Sequence, residues 1–123
     1  MAIVTLGRPL EEISDTLEPI PEGQYVAKIA SAELKQSSKG NDMIELVFEV
    51  TEGEYAGRKL WDYLVLTDNS LWKVKRYVSR LLGLESGNEF EVKEFEGIQC
   101  LVTVGIKEGR QGPGNEVRDV EPA

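Results

Sequence analysis

The segment Ile44-Glu-Leu-Val-Phe-Glu-Val50 decides the fold. Ile44, Leu46, Phe48 and Val50 alternate with Glu45, Val47 and Glu49. Successive side chains of a strand point to opposite faces, so this period predicts a strand with one buried face and one mostly wet face. Upstream, residues 24–34 alternate less regularly and read as a first strand, joined to the second by the polar loop 35–41. Downstream, residues 51–57 turn the chain into a third strand, 58–66. Here two faces compete: Leu60, Asp62 and Leu64 share one, and Trp61, Tyr63 and Val65 share the other. A buried carboxylate without a partner is costly, yet aromatic residues in strands are more often core, so the inward face stays open at this level.

A helix is expected next. Asp68, Asn69 or Ser70 can cap it, Leu71, Val74, Val78, Leu81 and Leu82 fall on one apolar arc, and Gly83 ends it. Lys73, Arg76 and Arg80 lie on the opposite side, with Trp72 at the edge, and read as a solvated face. Beyond a polar stretch come Phe90 to Val92 and then Ile98, Cys100, Val102, Val104 and Ile106 at period two. A second polar, glycine-rich loop, 107–115, leads to a short last strand, 116–120. The order β-β-β-α-β-β is that of a mostly β, five-stranded OB-fold-like barrel with one capping helix. Residues 1–22, with Pro9, Pro19 and Pro21 among acids, read as an extended acidic N-terminal arm with a helical turn near Leu10 to Leu17; residues 23–123 read as the domain.

Composition narrows function by exclusion. The 123 residues fit one domain. With no histidine, His-based nucleophilic sites and His-ligated zinc are excluded. The single cysteine, Cys100, alternates with core positions and reads as a buried thiol in a chain suited to the cytoplasm. The start has no basic region or long apolar run of a secretion signal, and no stretch approaches the ~20 residues that span a bilayer. The glycines of 109–114 lack a strand-loop-helix context, and Glu11-Glu12 and Glu94/Glu96 lack calcium-loop spacing. No catalytic constellation, metal set or cofactor is expected.

The net charge is -8, from 14 Lys and Arg against 22 Asp and Glu, which by itself argues against nucleic acid. The excess acid lies at the ends, however, and residues 35–80 hold eight bases to seven acids. Single-stranded nucleic acid needs cations for phosphates and flat side chains for bases. Strands two and three and the loops one-to-two and four-to-five form the usual OB-fold ligand surface. There the sequence supplies Lys35, Lys39, Arg58, Lys59, Lys107 and Arg110 as cations and Tyr55, Trp61 and Tyr63 as rings. Each has a plainer reading: loop cations solubilise, Arg58 and Lys59 can pair with Glu52 and Glu54, and strand aromatics pack.

Gly23-Gln-Tyr-Val-Ala27, Ser38-Lys-Gly-Asn-Asp-Met-Ile-Glu-Leu-Val-Phe-Glu-Val50, Gly53-Glu-Tyr-Ala-Gly-Arg-Lys-Leu-Trp-Asp62 and Gly114-Asn-Glu-Val-Arg118 also carry a family resemblance. Together they look like an uncharacterised family of small bacteriophage proteins from DNA replication and recombination modules, whose members resemble OB-fold single-stranded-DNA-binding proteins. The resemblance covers roughly residues 23–120 and is most specific in the Gly-Glu-Tyr-x-Gly-Arg-Lys-x-Trp stretch. It implies single-strand binding that protects or presents DNA during phage replication, and together with the residues above the expectation is non-enzymatic, non-sequence-specific single-stranded DNA binding in phage replication or recombination in the host cytoplasm. The alternative is an acidic protein-protein adaptor that recruits replication or recombination enzymes, and an acidic DNA mimic is a third reading that the bases of residues 58–80 weigh against. A homo-oligomer is expected on the ground that linked weak sites gain avidity.

Overall fold

Alternating apolar residues place five strands in one antiparallel sheet: β1 (Gly23–Gln36), β2 (Asp42–Val50), β3 (Lys59–Val65), β4 (Gln99–Gly109) and β5 (Gly112–Pro122). The helix α1 (Leu71–Tyr77) stands between β3 and β4. The computed structural model describes residues 1–7, 19–109 and 112–123. The helical turn expected near Leu10 to Leu17 and the side chain of Arg110 lie outside them.

The strand order is β3-β2-β1-β4-β5, with β1 hydrogen-bonded on both sides. A bulge between Ile29 and Ser31 bends β1. The first half, Gly23 to Lys28, pairs with β4, and the stretch from Ala27 to Gln36 pairs with β2. Beyond the bulge, side chains replace the ladder. The Ala32 N–H donates to Glu96 Oε2 at 3.1 Å, and Lys93 Nζ donates to the Ala32 carbonyl at 2.9 Å.

The expected barrel closure is not observed. No ladder joins β3 to β5, although their Cα atoms approach within 8 Å. Side chains of α1 and of the helical turn that continues it over Val78–Leu82 reach both edges. Lys73 Nζ donates to Asp62 Oδ1 on β3 at 2.8 Å, while Arg80 donates to both oxygens of Asp119 on β5 at 3.0 and 3.1 Å and to the Val120 carbonyl at 2.9 Å. Arg76 lies 3.5 Å from the same Asp119 carboxylate. Lys73 and Arg80 are therefore ties between elements rather than the solvated face expected of them, while Arg76 reaches Asp119 and stays exposed as expected.

The core follows the strand parity read from the sequence. Ile44, Leu46, Phe48, Val50, Cys100, Val102 and Val104 are buried, joined by Leu60, Leu64, Phe95 and Tyr77. At roughly 1.5–3 kcal/mol for each fully buried large apolar side chain, this one cluster supplies the main stabilising term. It starts earlier than Gly23: Ile20 is fully buried, and Asn115 holds its backbone from both sides. The Ile20 N–H donates to Asn115 Oδ1 at 2.9 Å, and Asn115 Nδ2 donates to the Ile20 carbonyl at 2.9 Å.

Three segments differ from expectation. Most of the second glycine-rich loop is ribbon, with Lys107 opposite Gly114 and Glu108 opposite Pro113, because the partner strand satisfies its backbone without any core to alternate against. Ile106, beyond the end of β1 on that ribbon, is exposed in consequence. The stretch Phe90 to Val92, read together with the period-two run that follows it, instead leads into a 3-10 turn at Val92–Phe95, where the Glu91 side chain accepts from the Lys93 N–H. The helix continues as a π-turn over Val78–Leu82 and ends, as expected, at Gly83, whose φ of 72° suits a residue without Cβ.

Candidate functional site

The parity of β3 is settled by what lies beneath it. Asp62 faces inward with Leu60 and Leu64, 8 % exposed. Its carboxylate accepts hydrogen bonds from Lys73 Nζ, from the buried Tyr77 hydroxyl and from the Tyr63 N–H at 2.9 Å. A carboxylate so paired escapes the cost of burial. Tyr77 stays protonated across the ordinary range: burial first, then the adjacent Asp62 charge, pushes its phenol well above the usual tyrosine value.

With Asp62 inside, Trp61 and Tyr63 stand outward at 44% and 41% exposure, so the plainer packing reading does not hold for them. Register then defines the outer face of β1, β2 and β3 row by row. Lys28, Glu49 and Lys59 form one row and Ser31, Val47 and Trp61 the next. Glu33, Glu45 and Tyr63 form the third, and Lys35, Met43 and Val65 the fourth. Two side-by-side rings thus lie between lysines.

The face is balanced rather than basic. Lys28 pairs with Glu49 at 3.4 Å, and Lys35 pairs with Glu45 at 2.9 Å and Glu33 at 3.8 Å. The hydrogen bond to Glu45 raises the Lys35 ammonium above the usual lysine range. Burial first, then the Glu45 charge, raises the Tyr63 phenol. Both groups keep their protons at neutral pH, and the face presents rings set among neutralised charges.

The other expected residues are spread out. Lys39 is exposed in the turn after β1, which the Ser37 N–H and Asn41 carbonyl close at 2.8 Å. The strand directions put that turn at the opposite end of the sheet from Tyr55, Arg58 and the β4–β5 ribbon bearing Lys107. Tyr55 is half-buried and meets Tyr25 edge-on, with ring centroids 6.0 Å apart, so it packs rather than offering a free face. Arg58 is half-buried at the entry to β3, its N–H bonded to the Tyr55 carbonyl at 3.0 Å. Lys107 is exposed, and Arg110 lies outside the described residues. The structure therefore brings together Lys35, Lys59, Trp61 and Tyr63 but not all nine.

Tyr77 was missed in the sequence although its signal was present, since it falls three residues after Val74 on the apolar arc. Cys100 is buried, and burial pushes its thiol up to about 11, as suits a core side chain. Among the described residues, no group of three or more Cys, Asp or Glu side chains is arranged to hold a metal ion, and no helix is long and apolar enough to cross a membrane.

Comparison with curated proteins finds no match. A family model described as "Protein of unknown function (DUF669)" matches residues 10–122, nearly the whole chain and all five strands, and the chain belongs to that family.

Proposed function

We propose that this protein binds single-stranded DNA with little sequence preference, without catalysis, in the cytoplasmic replication or recombination of phage DNA. The observation that carries the reading is the outward display of Trp61 and Tyr63 on β3, next to one another and beside Lys59 and Lys35. Stacking on such rings contributes ~1–3 kcal/mol per base whatever the base. The strand order supports the same reading. A central β1 paired with β2 and β4, a helix after β3, and edge strands that approach without pairing suit a partly open OB-fold, whose ligands lie across the second and third strands. The family-like stretch Gly53 to Asp62 forms the turn into β3 and carries Trp61 itself.

The balanced face sets the form of the salt dependence. With Lys28 and Lys35 already paired, Lys59 is the lysine of this face left for phosphate, and a slope near -0.7 per phosphate implies roughly 2.5-fold weakening between 50 and 200 mM salt. Titration of labelled oligo-dT at those two concentrations tests this. Saturable binding with a shallow slope is expected, and no binding at the lower salt overturns the proposal.

A further inference from the structure

The exposed aromatic side chains among the described residues do not end with β3. Trp72, on the first turn of α1, is 63% exposed, more than Trp61 or Tyr63. The Arg76 guanidinium lies 5.7 Å from its ring centre, one helical turn on. Lys75, three residues from Trp72, is exposed on the same helical face. Packing does not account for the indole: the apolar arc of this segment buries Val74, Tyr77 and Val78, while Leu71, the chain neighbour of Trp72, is also exposed.

Two further observations join this ground to the β3 face. Lys73, the immediate neighbour of Trp72, donates from Nζ to the Tyr63 carbonyl at 3.1 Å, so the helix abuts the edge of β3 at Tyr63. The charge also differs. Residues 71–82 hold Lys73, Lys75, Arg76 and Arg80 with no acid; Asp62 and Asp119 offset two of those four charges. The outer sheet face, with Lys28, Lys35 and Lys59 against Glu33, Glu45 and Glu49, has no such surplus.

From this geometry we infer that the single strand leaves the sheet over the edge of β3 and runs onto α1, where Trp72 is the third stacking ring and Lys75 and Arg76 meet the phosphates. The inference rests on the proposed single-strand binding and names its path. A strand long enough to cross the edge contacts three rings; a strand of about 4 nucleotides reaches only the pair on β3.

The two tryptophans allow the path to be read directly. In Trp61→Phe the remaining indole reports on α1, and in Trp72→Phe it reports on β3; both positions are exposed, so neither change opens the core. Oligo-dT of about 15 nucleotides should quench both reporters. Trp72→Ala should weaken the long oligonucleotide at least about fivefold, the loss of one stacked base, and leave one of about 4 nucleotides unchanged. Quenching at Trp61 alone, with Trp72→Ala binding both lengths normally, overturns the path and leaves single-strand binding standing. Quenching at neither position, with no saturable binding at low salt, overturns both.

Discussion

Removing the Tyr77 hydroxyl tests why β3 turns Trp61 and Tyr63 outward. The hydroxyl donates to Asp62 Oδ2, while Oδ1 keeps Lys73 at 2.8 Å and the Tyr63 N–H at 2.9 Å. Tyr77→Phe should therefore cost about 1.5–3 kcal/mol, the range for a hydrogen bond to a charged group. Asp62→Leu should cost about as much, because it leaves the Tyr77 hydroxyl buried without an acceptor, whereas Lys73 can turn toward water. The double variant removes both halves at once and leaves an apolar pair, so the losses should not add, and a coupling of about 2 kcal/mol is expected. In urea, with a slope of about 1.5 kcal/mol per molar, each single change lowers the midpoint by about 1 M or more, read by tryptophan fluorescence. The sign with pH follows from the raised phenol. A tyrosine whose folded value exceeds its unfolded value of 10.0 contributes stability that is complete below pH 10 and lost as the pH rises beyond it. Tyr77→Phe should remove that alkaline loss. If its midpoint matches the parent within error, or the double variant equals the sum of the singles, Asp62 does not hold β3 through Tyr77.

Further outcomes follow from other contacts. Burial opposes ionisation of Asp119, but the Val120 N–H and Arg80 outweigh it and hold the carboxyl below the usual range. Its contribution is present above the unfolded aspartate value and lost as the pH falls, so Asp119→Asn should destabilise more at pH 7 than at pH 3 in paired urea melts. Asn115→Ala removes both backbone bonds to Ile20 and should cost about 1–3 kcal/mol, with faster hydrogen exchange at the Ile20 amide; unchanged exchange refutes the clamp. Gly83→Ala forces a Cβ into left-handed backbone and should cost about 1–2 kcal/mol by thermal melt, a loss that would be absent if the helix end adapts. Lys59→Ala should reduce the salt slope of oligo-dT binding by about 0.7, while Tyr63→Ala should weaken binding at every salt concentration alike.

What could be read from the sequence was whatever local alternation encodes. The inward faces of β2 and β4 were plain from Ile44 to Val50 and from Cys100 to Val104, since a strand that buries one face writes its parity into every second residue. The helix stop at Gly83 was legible for a similar reason, because left-handed backbone selects glycine locally. The site was only half legible. Its residue types were identifiable, but Tyr55 packs on Tyr25, and Lys39 and Lys107 lie at opposite ends of the sheet, distributions that composition does not encode.

Only the tertiary structure decided which way β3 faces. Both of its parities carry large apolar residues, so local pattern is degenerate there, and the tie is broken by Lys73 and Tyr77, which give Asp62 its partners from another element. The tie between the helical segment and β5 has the same origin. Arg76 and Arg80 look like ordinary wet helix cations until folding sets Asp119 against them, some forty residues along the chain. Alternation acts between neighbours in sequence, whereas the pairing of buried charge acts between neighbours in space; the first was written in the chain, and the second existed only once the chain had folded.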